Sequence, residues 1–173
     1  MLKLRKNKKG FTLVELIVVI AIMAVLAGTV AGVTVTQLNK QTDTANKNQA
    51  KKIADTIYSE LLENPDIQFA DTKDTAGKVT ATGMATELTT AYGNIVKCKT
   101  GTDEVTATKG KEFKVTYNAE EKGNDGKVTT YAYYTVEYKG KQSGGKGDKS
   151  YFISAENGVQ GTADAAKTIP SGN

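Results

Sequence analysis

The chain has 173 residues, 39% of them hydrophobic, which suffices for one small domain plus an extension. It contains no histidine, the commonest general base and transition-metal ligand, so the composition argues against an enzyme. The formal net charge is +4, but five of the 23 basic residues lie in the first ten positions. The other 18 basic residues are balanced by 19 acidic residues, which argues against a nucleic-acid-binding surface.

A short basic segment opens the chain, and a long uncharged segment follows it. The basic residues are Lys3, Arg5, Lys6, Lys8 and Lys9, and no formal charge occurs from Leu16 to Asn39. As a helix, the apolar stretch from residue 16 to residue 35 would be about 30 Å long, which matches the hydrocarbon core of a membrane. Basic residues before the span predict a cytoplasmic leader and a C-terminal part outside the cell membrane.

Two ordinary interpretations of this segment remain open. A secretory signal has an apolar region of about 7 to 15 residues, which is shorter than this one, although Ala24, Ala27 and Ala31 could imitate its cleavage site. A permanent membrane anchor fits the length and would carry a membrane-anchored binding protein. An anchor alone does not explain Glu15, because a carboxylate in an apolar helix normally has a partner.

Cleavage between Gly10 and Phe11 would supply a partner for Glu15. The new α-amino group of Phe11 would be a positive charge one helical turn from the carboxylate. In a packed array, the amine of one subunit could pair with Glu15 of its neighbour and fix the axial register of the two helices. The sequence therefore links processing to assembly.

The residues around this position resemble a known signal. Lys9, Gly10, Phe11, Thr12, Leu13, Val14, Glu15, Leu16 and Ile17, after a basic leader and before an apolar run, resemble the class III signal of type IV prepilins. The resemblance implies cleavage after Gly10 by a prepilin peptidase and N-methylation of Phe11. It also implies extraction of the subunit by a pilus assembly machinery into a helical filament of identical subunits, in which Glu15 pairs with a neighbouring N-terminus.

The resemblance and the pattern together predict the organisation of the chain. We expect a leader peptide (1–10), a membrane-spanning and filament-core helix (11–35), an amphipathic helix half (36–64) and a globular domain (65–173). Ala24, Gly28 and Gly32 recur every four residues, which permits close packing of helices in an assembly, although glycine is also tolerated in membrane helices generally. Asn64 and Pro65 predict the end of the long helix.

The second half of the chain predicts a small antiparallel sheet. We expect a connecting loop from residue 65 to residue 111, with a short helix near Met84 to Tyr92. Three strands should follow, from Glu112 to Ala119, from Lys127 to Lys139 and from Ser150 to Ala155. The amphipathic face, formed by Leu38, Ala45, Ile53, Ala54, Ile57, Tyr58, Leu61 and Leu62, should cover this sheet. The predicted fold class is α+β and pilin-like, with a long N-terminal helix whose hydrophobic half protrudes or lies in a membrane.

Three further features of the sequence lead to predictions of narrower scope. Cys98 is the one cysteine, so no internal disulfide forms, and we expect a buried hydrophobic role for it. Five tyrosines, at positions 117, 131, 133, 134 and 138, suggest either an adhesive surface or cross-strand packing, which we favour. The acidic residues Asp103, Glu104, Glu120, Glu121 and Asp125 lack the spacing of a calcium loop, so we predict no metal and no cofactor.

The sequence thus predicts a non-enzymatic structural subunit of a type IV pilus that supports adhesion, twitching motility or biofilm formation. The resemblance is to a type IVa-like pilin; the missing disulfide favours one of Gram-positive type, and the small globular part favours a major subunit. A pseudopilin of a type II secretion-like or DNA-uptake system shares the same N-terminal signal and remains the alternative. The subunit should first lie in the cell membrane and then in an extracellular filament.

Overall fold

The computed structural model describes residues 10–98 and 107–169 of the chain. The predicted leader, apart from Gly10, and the acidic pair Asp103 and Glu104 lie outside the described residues. The chain forms two compact units, residues 1–38 and residues 39–173, which are described separately below.

Three helices and nine strands form the described part of the chain. In chain order, they are α1 (Leu13–Glu63), β1 (Thr72–Lys73), β2 (Val79–Ala81), α2 (Met84–Tyr92), β3 (Val96–Cys98), β4 (Phe113–Asn118), β5 (Glu121–Lys122), β6 (Val128–Thr130), β7 (Tyr133–Tyr138), β8 (Lys149–Ser154), β9 (Gly158–Gln160) and α3 (Ala163–Lys167). A long N-terminal helix with antiparallel sheets confirms the predicted α+β class and is consistent with a pilin fold.

The central sheet of the second unit has five strands in the order β3, β4, β7, β8, β9. All neighbouring pairs are antiparallel except β3 and β4, which are parallel. The strands β1 with β2, and β5 with β6, form two separate hairpins. The sheet is therefore an antiparallel meander of β4, β7, β8 and β9, with β3 added in parallel at one edge.

One face of this sheet packs on the second half of α1. Ile53 and Ile57 of α1 are completely buried, as are Val115, Val136 and Ile153 from the middle strands. The strand residues alternate with partly exposed ones, as expected for a sheet with one covered face. Met84 and Leu88 of α2 complete the core. Burial of such apolar side chains is the main stabilising contribution to this unit.

Several sequence-based expectations for this unit need correction. The region from residue 65 to residue 111 is not only a loop with a helix: it also contains β1, β2 and β3. The predicted strand from Lys127 to Lys139 is two strands of different sheets, separated at Tyr131 and Ala132, because the backbone N–H of Tyr131 donates to the carbonyl of Lys167 (2.9 Å) instead of continuing a ladder.

The helix itself was predicted more closely. It ends at Glu63 as expected and begins at Leu13, two residues later than the expected Phe11. Leu38, Ala45 and Leu62 are exposed, so the expected amphipathic face is narrower than the sequence suggested. Of the five tyrosines, Tyr134 and Tyr138 are buried, which confirms the packing interpretation for those two.

A buried carboxylate that sequence reasoning did not identify fastens α1 to the loop between β7 and β8. Asp43 is completely buried and accepts hydrogen bonds from the hydroxyl of Tyr138 (2.9 Å) and the backbone N–H of Lys141 (2.7 Å). It also accepts from the backbone N–H and the side-chain amide of Gln142 (3.0 and 3.1 Å). A side chain at Gly147 would collide with the carboxylate, so the loop approaches this closely because that residue is glycine.

These contacts determine the charge state of Asp43. Burial alone would raise the pKa of this carboxyl, but the hydrogen bonds from Lys141, Gln142 and Tyr138 outweigh it and lower the pKa below its ordinary value. A lowered pKa in the folded state means that the ionised carboxylate stabilises the fold above the unfolded-state pKa of about 3.9. This contribution is lost as the pH falls through the folded-state pKa.

We predict that Asp43→Asn lowers the free energy of unfolding by about 3 kcal/mol at neutral pH, because the donors around the buried carboxylate lose their charged acceptor. Thermal unfolding of the full chain in detergent micelles, followed by near-ultraviolet circular dichroism of the packed tyrosines, measures this loss. The loss should begin to shrink below about pH 4, where Asp43 of the unfolded chain takes up a proton, and should shrink further as the pH falls through the lower pKa of the folded state.

The matched control is Asp55→Asn on the same helix. Asp55 is half exposed and pairs with Lys51 (2.9 Å), so its substitution should change the stability by less than about 1 kcal/mol. Equal losses in the two variants would contradict the role assigned to Asp43.

Candidate functional site

The predicted cleavage position lies in non-helical backbone. Gly10 and Phe11 precede α1, and both are exposed, with 92% of the surface of Phe11 accessible. A peptidase can reach such a segment without unwinding the helix. No atom of the described residues lies within 4 Å of the position that a side chain on Gly10 would occupy, so packing within that part of the chain does not require glycine here.

Thr12 and Glu15 close the first turn of α1. The backbone N–H and the hydroxyl of Thr12 each donate to the same carboxylate oxygen of Glu15, at 2.8 Å in both cases. In return, the backbone N–H of Glu15 donates to the hydroxyl oxygen of Thr12 (3.3 Å). This reciprocal arrangement is a capping box, which satisfies N–H groups that a helix start otherwise leaves unpaired.

The capping box changes the interpretation of Glu15. The sequence suggested that the carboxylate has no partner before cleavage, whereas the structure gives it two hydrogen bonds from Thr12. Sequence reasoning missed Thr12, although a threonine followed three residues later by glutamate is the known signature of this cap. No lysine or arginine among the described residues pairs with Glu15, so its negative charge keeps no cationic partner within that part of the chain.

Apolar side chains are exposed on every side of α1 from Leu13 to Val35. Their accessible fractions range from 49% at Val18 to 72% at Leu13 and Val33. Among the described residues, α1 alone is long and apolar enough to cross a membrane, judged by length and composition. A helix that is apolar all round is normally buried in a membrane or in a protein core.

The hydroxyl groups within this apolar stretch are already satisfied by the helix. Thr29 donates to the carbonyl of Leu26 (3.0 Å), and Thr34 donates to the carbonyl of Val30 (2.7 Å). In hydrocarbon, a polar group without a hydrogen bond would cost several kcal/mol. These threonines are therefore compatible with an apolar environment on all sides of the helix.

The small residues Ala24, Gly28 and Gly32 lie on the same helix at four-residue spacing. A side chain added at Gly28 or Gly32 would meet no atom of the described residues within 4 Å. Glycine in a helix is less favourable than alanine by about 1 kcal/mol. Packing among the described residues therefore does not account for either glycine.

Cys98 does not form part of a reactive site. Its side chain is half-buried in β3, and its thiol lies 3.9 Å from the carbonyl oxygen of Ala85. Burial raises the pKa of the thiol to about 11, so it remains protonated at neutral pH. Among residues 10–98 and 107–169, no three His, Cys, Asp or Glu side chains are grouped so that they could hold a metal ion.

Comparison with known families identifies the N-terminal segment. Residues 5–31 match the family described as the prokaryotic N-terminal methylation motif, which is a structural motif of pilins and not an enzyme family. No curated protein and no solved structure matches the chain. The matched residues include the glycine, the phenylalanine, the capping box and most of the apolar helix surface, and the match supports a type IV pilin-like prepilin.

We predict that Thr12→Val loosens the first turn of α1, because the variant keeps the shape of the side chain but loses the hydroxyl that both accepts from and donates to Glu15. Amide hydrogen exchange at Leu13 to Leu16 of the full chain in micelles should accelerate about fivefold. The control is Thr29→Val, whose hydroxyl bonds a carbonyl in the middle of the helix and caps nothing. Unchanged exchange in the Thr12 variant would contradict a stabilising cap.

Proposed function

We propose that this type IV pilin-like prepilin is the structural subunit of a type IV pilus filament. The observation that carries the proposal is the apolar helix surface from Leu13 to Val35, which no part of the described chain covers. A membrane buries this surface in the precursor, and the same segment of neighbouring subunits buries it after assembly. Helix contacts between identical chains then form the filament core.

Processing prepares the helix for assembly. A prepilin peptidase cuts between Gly10 and Phe11, in the exposed backbone before α1, and the amine of Phe11 becomes methylated. Because packing within the chain leaves space beside Gly10, the requirement for glycine comes from the enzyme that closes on this backbone. Cleavage also removes the basic leader, which would otherwise hold the chain at the cytoplasmic surface.

The carboxylate of Glu15 aligns one subunit with the next. The cap from Thr12 supplies hydrogen bonds to one carboxylate oxygen but no positive charge, so the carboxylate still attracts a cation. The amine of Phe11 on a neighbouring subunit is the cation that processing creates. In apolar surroundings, this attraction is stronger than in water and favours one axial register over the others.

The small residues Ala24, Gly28 and Gly32 form the closest helix contacts in the core. The empty space beside both glycines accommodates the backbone of a neighbouring helix, as small residues do in membrane helix pairs.

The filament lies outside the cell and supports adhesion, twitching motility or biofilm formation. The single cysteine, Cys98, allows no internal disulfide, which favours a type IVa-like pilin of Gram-positive type, and the small globular part favours a major subunit.

A pseudopilin of a secretion or DNA-uptake system remains the second candidate, because the matched motif is common to both kinds of subunit. The two differ in the length of the polymer. Immunogold electron microscopy of producing cells distinguishes them: long labelled surface filaments support the pilin, and labelled cells without extended filaments favour the pseudopilin.

We predict that Gly10→Val accumulates uncut precursor, because the β-branched side chain obstructs a peptidase that closes on the backbone at this position. Intact-mass measurement of membrane extracts should show the ten-residue leader retained. Gly28→Val, a change of the same size inside the apolar helix, should still be cut. Complete processing of the Gly10 variant would place the cleavage site elsewhere.

We predict that Glu15→Ala is inserted and mostly processed but assembles poorly, since the neighbouring Phe11 amine loses its partner. The measurement is the ratio of filament protein, sheared from the cells, to processed protein in the membrane. Thr12→Val serves as the matched control, because it removes a hydroxyl from the cap and leaves the carboxylate charge in place. Normal filament yield from the Glu15 variant would contradict the charge-pairing account.

A further inference from the structure

A small cavity opens at one end of the five-stranded sheet, where β4 ends, β7 begins and β8 ends. Its volume is about 200 Å³. Three tyrosines, Tyr117, Tyr131 and Tyr134, and two glutamates, Glu120 and Glu156, contribute to its lining. We call this cavity the tyrosine pocket. It lies within the second unit of the chain and contains none of the residues assigned above to processing or assembly.

The aromatic wall of the tyrosine pocket is held in place by packing. The rings of Tyr117 and Tyr134 have their centres 5.1 Å apart and meet at 49°. Phe69 stacks on Tyr117 (6.0 Å, 13°) and also contacts Tyr134 (5.9 Å). Tyr134 is almost completely buried, whereas 40% of Tyr117 is exposed. Two rings are thus fixed before any ligand arrives, which limits the entropy lost on binding.

The charged groups that line the tyrosine pocket are both acidic. From residue 66 onward the chain has 14 acidic and 14 basic residues, so an all-acidic lining does not follow from the average charge. Glu120 pairs with Lys122 (2.9 Å), but both side chains are about half exposed and such pairs are weak. Glu156 pairs with no lysine or arginine of the described residues.

We propose that the tyrosine pocket binds an alkylammonium group. Faces of tyrosine rings attract ammonium cations through their quadrupole, and nearby carboxylates add to that attraction. The volume is below the roughly 300 Å³ at which pockets begin to hold drug-sized ligands, so the pocket admits a single headgroup or the end of a side chain. A choline-type headgroup and a lysine side chain both present this chemistry.

The test uses the full chain in maltoside micelles, because a phosphocholine detergent would compete for the pocket. Choline and Nα-acetyl-lysine are titrated separately, and the backbone amide signals of Ala132 and Ala155 are followed by nuclear magnetic resonance. Both alanines line the pocket and carry no charge. Saturable shifts with either cation support the proposal, and the tighter of the two identifies the source of the group.

The neutral isostere of choline, 3,3-dimethylbutan-1-ol, is the ligand control and should bind at least about threefold more weakly. Glu156→Gln removes the unpaired charge, and Tyr131→Leu removes one ring; each should weaken binding of the cation about threefold. The matched protein controls are Glu121→Gln and Tyr133→Leu, which change neighbouring residues outside the pocket and should leave the affinity unchanged.

Two results would overturn the proposal. One is equal binding of choline and its neutral isostere, since the pocket would then select for shape and not for charge. The other is the absence of saturable shifts with both cations in a chain whose near-ultraviolet circular dichroism shows a folded second unit. Neither result would affect the proposed filament, because the two sites share no residue.

Discussion

The constraint on which the rest depends is that one helix carries an apolar surface that the described residues of its own chain do not bury. From Leu13 to Val35, the side chains of α1 are exposed all round, whereas from Ala50 to Leu61 the same helix covers a sheet. Burying an exposed aliphatic side chain is worth about 1.5 to 3 kcal/mol, so the first stretch must find a membrane or other protein surfaces. The second stretch has its partner within the chain. In the proposed filament, this division assigns assembly to the first unit and leaves the sheet and its loops for other contacts.

Polar groups restrict how that apolar surface can be used. The threonine hydroxyls of the stretch bond to carbonyls of the same helix, so they do not oppose burial. Glu15 is different, because Thr12 supplies hydrogen bonds but no charge to its carboxylate. A cation therefore still gains free energy by approaching it in apolar surroundings. In the second unit, Asp43 shows the opposite solution, because its buried carboxylate pairs with no lysine or arginine of the described residues. Three hydrogen bonds from the glycine-rich loop after β7 and one from Tyr138 of β7 stabilise it instead.

The sequence predicted those features that depend on local pattern and missed those that depend on distant contacts. Hydropathy and the Asn64–Pro65 pair predicted the extent of α1, and the alternation of apolar and polar residues predicted the strands β4 and β8. The burial of Asp43 could not be predicted, because its donors lie about a hundred residues away, at the end of β7 and in a loop whose approach depends on Gly147. The parallel pairing of β3 was also missed, since three residues are too few for a clear alternation. Thr12 is the exception, a local signal that was present in the sequence and overlooked.

The most direct test of the central claim is the N-terminal sequence and mass of the protein isolated from its own cells. We predict a chain that begins at an N-methylated Phe11, because only processing at this position frees the helix and creates the amine that Glu15 attracts. An intact Met1, or a terminus after Ala24, Ala27 or Ala31, would contradict the account. The helix would then be a permanent anchor or an ordinary secretory signal.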